Sequence, residues 1–106
     1  MDFKGMSDKA VLFEIGERIS RHRLNLNITQ VELAQRAGIT RIVVQRLENG
    51  LGCNLESLIK ILRILDLIDQ LESFLPDQGI SPLQLVKLRG HERERASVPR
   101  KNRKRK

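Results

Sequence analysis

From residue 7 to residue 90, apolar positions recur at the spacing of helices that bury one face. Ser7 or Asp8 is placed to cap a first helix, with Leu12, Ile15 and Ile19 along one stripe and Glu17, Arg18 and Arg21 elsewhere, ending near Arg23 or Leu24. Asn25 and Asn27 mark a turn. Thr29, with Glu32 three residues on, is a capping box, which predicts a second helix from Gln30 to Ala37. Gly38 is where that helix ends in a left-handed conformation, and Thr40 is then available to cap a third helix that closes before Gly50.

Asn54 is the expected cap of a fourth helix carrying Leu55, Leu58, Ile59 and Leu62. Ile64, Ile68, Leu71 and Leu75 fall on a different side at about 100° per residue, so the axis is expected to break near Asp66. A fifth helix then runs until Pro76. Ser81-Pro82 opens a short sixth helix with Leu83, Val86 and Leu85 or Leu88 available for packing. The pattern stops at Gly90. The chain thus divides into a flexible N-terminus (1–6), a helical domain (7–76), an extension with a short helix (77–90) and a tail (91–106), "HERERASVPRKNRKRK", expected to be disordered.

Composition supports an all-α fold, since leucine and isoleucine dominate and the aromatics are only Phe3, Phe13 and Phe74. The net charge of +7 is uneven: residues 1–88 carry 11 Lys or Arg against 11 Asp or Glu, and residues 89–106 carry nine basics against Glu92 and Glu94. A neutral body with a cationic end implies an anionic partner. No apolar run is longer than Ala10 to Phe13, so no membrane span or signal peptide is expected and the location should be cytoplasmic. Cys53 stands alone, His22 and His91 are far apart, and there is no Gly-rich phosphate loop. Neither catalysis, nor a metal, nor a cofactor is expected.

Two short helices joined by a tight glycine turn outline a helix-turn-helix. "ITQVELAQRAGITRIVVQRLENG" resembles the lambda repressor/Cro-like (XRE) family at Thr-Gln, Glu-Leu-Ala, Ala-Gly, the following Thr, the arginine and Leu-Glu-x-Gly, and "LESLIKILRILDL" resembles its fourth helix, so the likeness spans roughly residues 10–68. It implies a five-helix lambda repressor-like DNA-binding domain. Leu33, Ala34 and Ala37 should pack on Val44 and Leu47. By resemblance Gln30 clamps the DNA backbone, Thr40, Arg41, Ile42, Gln45 and Arg46 face the bases, and Asn49 meets a phosphate. Ile42 and Val43 depart from the Ser, Thr or Gln more usual there; Val43 either touches DNA or supports the first helix. The same resemblance implies a structural pair between Arg23 and Glu48.

One reading helix contacts only a few base pairs, so a homodimer on a palindromic operator is expected, with Ile64, Ile68, Leu71, Phe74 and Leu75 as the candidate interface. The segment "SPLQLVKLRG" and the basic tail resemble antitoxins of the HipB type, which implies an autorepressor holding a HipA-like kinase toxin. A prophage repressor, a restriction-modification controller, or an interaction module that keeps the helix-turn-helix shape fits the same layout. In the tail, Arg93, Arg95, Arg100, Lys101, Arg103, Lys104, Arg105 and Lys106 suit phosphate contact without sequence preference.

Overall fold

The computed structural model describes residues 2–79 and 81–95, with side chains to residue 90. These residues form helices and turns without a strand, and the chain divides into two compact units, 1–75 and 76–106. In the first unit α1 is Asp8–Asn25, α2 Gln30–Ala37, α3 Arg41–Glu48, α4 Leu55–Ile64 and α5 Leu71–Phe74. Side-chain caps open three of them: the Ser7 hydroxyl accepts the Ala10 N–H at 3.1 Å, Asn54 Oδ1 accepts the Ser57 N–H at 2.7 Å, and Thr29 and Glu32 complete a reciprocal capping box. Thr40 occupies the N-cap position of α3, yet its side chain accepts no capping bond. Residues 1–6, expected to lack helical pattern, include a 3-10 turn at Phe3–Gly5, because the Asp2 carboxylate accepts the Lys4 N–H and fixes the first turn.

The same device closes α1, α2, α3 and α4. Each ends at a residue with positive φ, namely Asn27 (61°), Gly38 (73°), Gly50 (82°) and Asp66 (61°). The following amide reaches back five residues: Ile28 to Arg23, Ile39 to Ala34, Leu51 to Arg46 and Leu67 to Leu62. This Schellman arrangement satisfies otherwise orphan carbonyls, and the residue after the reversal is apolar in all four cases. Three of those residues, Ile28, Ile39 and Leu67, pack in or against the core, so the reversals also deliver apolar side chains to it.

Leu33, Ala34, Val44, Leu47, Ile19, Ile28, Ile61 and Leu65 form the core. α3 packs on α1 and α2, and α2 also packs on α4. The buried line of α4 is Ser57, Ile61 and Leu65, flanked by Leu58 and Leu62, rather than the stripe led by Leu55, which stands exposed in the first turn. Gly16, inside α1, is buried where a side chain would be impossible. A Cβ there would overlap the Leu47 carbonyl oxygen and lie 2.9 Å from that of Glu48, so α1 and α3 meet backbone to backbone.

The expected fifth helix is shorter than the spacing predicts. Asp66 and Leu67 are consumed by the reversal, Ile68–Gln70 form a 3-10 turn, and α5 makes a single turn. Leu75 leaves the helical region because it precedes Pro76, whose ring disfavours a helical residue before it. In the second unit, α6 spans Pro82–Arg95, with the Ser81 hydroxyl accepting the Gln84 N–H at 3.2 Å. Gly90 was expected to end this helix and residues 91–106 to be disordered; α6 instead continues to Arg95. A glycine inside a helix costs only about 1 kcal/mol, and four of the next five residues are Glu or Arg, which favour helix. Residues 96–106, with Arg100, Lys101, Arg103, Lys104, Arg105 and Lys106, lie outside the described residues.

Candidate nucleic-acid interface

α3 is amphipathic in the simplest way. Val44 and Leu47 point inward and are buried, Val43 is half-buried, and Arg41, Ile42, Gln45 and Arg46 form the exposed side together with Thr40 before the helix and Asn49 after it. Ile42 is 64% exposed. From Leu33 to Leu47 the chain has three arginines, Arg36, Arg41 and Arg46, and no carboxylate. Neither Arg41 nor Arg46 has an ion-pair partner among the described residues, and the Gln45 side chain makes no hydrogen bond among them. The fold therefore carries an outward cationic and amide-bearing face that it does not use for its own cohesion.

Other arginines are committed. Arg18 Nε donates to Glu14 at 2.9 Å while its guanidinium lies 5.1 Å from the Phe3 ring centroid, and Arg21 lies 3.6 Å from the same carboxylate. Arg23, on the last turn of α1, is buried and holds three segments together. Its Nε and Nη2 donate to the two Glu48 oxygens at 2.7 and 3.0 Å, and its Nη1 donates to the Ile28 carbonyl at 2.9 Å. Gln30 Nε2 donates to Glu48 Oε1 at 2.9 Å, so the carboxylate ties the start of α2 to the end of α3.

These contacts set the charge state. Burial pushes the Glu48 carboxyl upward, but hydrogen bonds from Arg23, Gln30 and Ser20 and the Arg23 charge together hold it below the ordinary glutamate value. The hydrogen bond to Glu48 and its charge raise the Arg23 guanidinium above its usual value against the opposing effect of burial. Burial raises the Cys53 thiol, away from the reactive thiolate.

Sequence reasoning placed Gln30 at a DNA phosphate and did not foresee its bond to Glu48. No spacing rule joins two polar residues 18 positions apart, and the only sequence signal was the pair of polar residues at facing helix ends. Ser20 was missed in the same way. The expected interface residues are also divided: Ile64 packs against the core and Ile68 is half-buried, whereas Leu71, Phe74 and Leu75 stand exposed. Arg93 and Arg95 fall within α6.

Thr29, Gln30 and Arg41 line one open groove with Arg23, Leu24, Asn27, Ile28 and Val31, which brings the start of α2 beside the start of α3. Among the described residues no group of three or more His, Cys, Asp or Glu side chains is placed to hold a metal ion, and no helix is long and apolar enough to cross a membrane.

Residues 19–69 match a family model described as helix-turn-helix, which covers the end of α1 and all of α2, α3 and α4. No curated protein matches the chain. Among solved structures, the SinR protein/SinI protein complex is similar at 25% identity over 78% of this chain and 98% of that chain, with a TM-score of 0.46.

Proposed function

We propose that the chain is a sequence-specific DNA-binding transcriptional regulator that inserts α3 into the major groove. The observation that carries this reading is the outer face of α3: two arginines and an amide side chain without a partner among the described residues, around an exposed isoleucine, within a segment matching the helix-turn-helix family. A helix about 10–12 Å across fits a major groove about 12 Å wide. In that position Arg41 and Arg46 present paired donors for guanine O6 and N7, Gln45 suits adenine, and Ile42 offers an apolar contact for a thymine methyl. Thr40 and Asn49 flank the reading face and suit phosphate. Gln30 has spent one amide hydrogen on Glu48; the second, with the free N–H groups opening α2, suits a phosphate oxygen.

Specificity from so short a helix calls for two copies on a palindromic site, paired through the exposed residues Leu71, Phe74 and Leu75, with Ile68 alongside. The narrower role is that of an autorepressor and HipB-like antitoxin that holds a HipA-like kinase toxin. It is supported by the likeness of residues 81–90 and the basic end of the chain to such antitoxins, and capture of a kinase encoded beside this gene tests it.

The test of the DNA reading is selection of binding sites from random duplexes, followed by Gln45→Ala with Arg46→Ala in the full chain. The selected sequence should be bound at least about tenfold more weakly by the variant, at unchanged thermal stability. A variant that binds the selected site as the unaltered chain does excludes α3 as the reader and leaves protein interaction as the use of this fold.

A further inference from the structure

The end of the first unit combines two features that a solitary surface rarely keeps together. Phe74 and Leu75 are 76% and 75% exposed, with Leu71 beside them, and they are interleaved with the exposed carboxylates of Asp69 and Glu72. From Ile64 to Ser81 there is no Lys or Arg and there are four acidic residues, a balance of 0 − 4 = −4. The segment that follows has the opposite character. Residues 82–106 carry ten basics and two acids, 10 − 2 = +8, and α6 opens with Leu83, Leu85, Val86 and Leu88, all exposed, next to Lys87 and Arg89. A 14-residue helix is marginal in water unless an apolar face is covered, and a helix apolar on several sides is normally buried against something.

We infer that α6 of a second copy covers the acidic, apolar edge formed by Asp69, Leu71, Glu72, Phe74 and Leu75, and that the exchange is reciprocal. This deepens the pairing part of the proposed function and rests on it. The two surfaces complement each other in both respects: each needs apolar cover, and the negative edge meets Lys87 and Arg89. Two-fold symmetry makes one such contact into two, so every chain gives a helix and receives one. The six residues from Pro76 to Ser81 supply the connection, with Pro76 preventing α5 from running on into α6. The reading faces on the two α3 helices are left outside this contact, because none of its residues lies on α2 or α3.

The test uses two full-length variants, Asp69→Lys with Glu72→Lys, and Lys87→Glu with Arg89→Glu, in sedimentation equilibrium at about 0.1 M salt, where such charges are incompletely screened. The unaltered chain should show twice the 12.2 kDa chain mass. Each variant alone should associate at least about tenfold more weakly, since like charges would now face each other. An equimolar mixture of the two should regain the association of the unaltered chain, because in a reciprocal exchange both edges then meet a helix of opposite charge. A chain carrying all four substitutions should also pair with itself, which keeps the test decisive if one variant folds poorly. Variants that pair as tightly as the unaltered chain, or a mixture that stays as dissociated as its components, overturn the inference. The first outcome leaves a dimer through another surface, and a monomeric unaltered chain removes pairing altogether. Site selection by α3, measured separately, stands or falls independently of all three.

Discussion

Removing the Glu48 carboxylate is the sharpest stability test of how α3 is held. In Glu48→Ala the Arg23 guanidinium, whose side chain is about 10% exposed in the unaltered chain, loses both Nε and Nη2 acceptors and keeps only the Ile28 carbonyl. Gln30 Nε2 loses its acceptor as well. An uncompensated buried charge costs about 3–5 kcal/mol, a large share of a total stability of roughly 5–15 kcal/mol for a chain of this size, so the variant should unfold at clearly lower urea. An exposed pair would cost less than about 1 kcal/mol. Urea unfolding at pH 7 followed by far-ultraviolet circular dichroism separates these. Replacing both partners, Arg23→Met with Glu48→Leu, should recover most of the loss by removing the stranded charge. The pH dependence carries a sign. Because the folded Glu48 titrates below the ordinary value of 4.5, its contribution is complete above that pH and is lost as pH falls through the depressed folded value. Glu48→Gln should therefore show less acid destabilisation below pH 4.5 than the unaltered chain. A loss under about 1 kcal/mol in Glu48→Ala, with an unchanged acid profile in Glu48→Gln, would refute the claim that this pair anchors α3.

Gly16→Ala should lower stability by about 2 kcal/mol or more in the same urea titration despite alanine's better helix propensity, because its methyl would overlap the Leu47 carbonyl and force α1 from α3. Gly38→Ala meets no atom within 4 Å, so its cost should be limited to the strain of a left-handed alanine, about 1–2 kcal/mol. Deleting residues 96–106 removes six basic residues and should weaken operator and random DNA alike, flattening the slope of log affinity against log salt by up to about 5 if each charge meets a phosphate. An unchanged slope retires a DNA role for that segment.

The helices of the first unit were readable because their signals are local. Ser7, the Thr29/Glu32 box and Asn54 act within three residues, and Gly38 announces a reversal that bonds back over five. What lay beyond reach was relational. Gly16 looks like a weak point in a helix until the end of α3 is placed against it, and the link from Gln30 to Glu48 needs the crossing of α2 and α3 already in hand. Of the stripe assigned to α4, Leu58 and Leu62 do pack on the core, but Leu55 sits in the exposed first turn while the small polar Ser57 takes the inward position. The end of α6 was missed for a different reason: the apolar pattern stops at Gly90, whereas the Glu and Arg residues after it favour helix without supplying an apolar stripe. On α3, periodicity separates Val44 and Leu47 from the outer residues, and the bases that Arg41, Gln45 and Arg46 would meet in the proposed complex depend on a docking geometry that periodicity does not contain.

Methylation protection at guanine N7 on a selected duplex tests the central claim most directly, since that atom is open only in the major groove. The account predicts that the protein shields specific guanines, and that Arg41→Ala and Arg46→Ala each re-expose one of them while the remaining pattern persists. Full-affinity binding with every guanine N7 left reactive, or protection confined to adenine N3 in the minor groove, would contradict it.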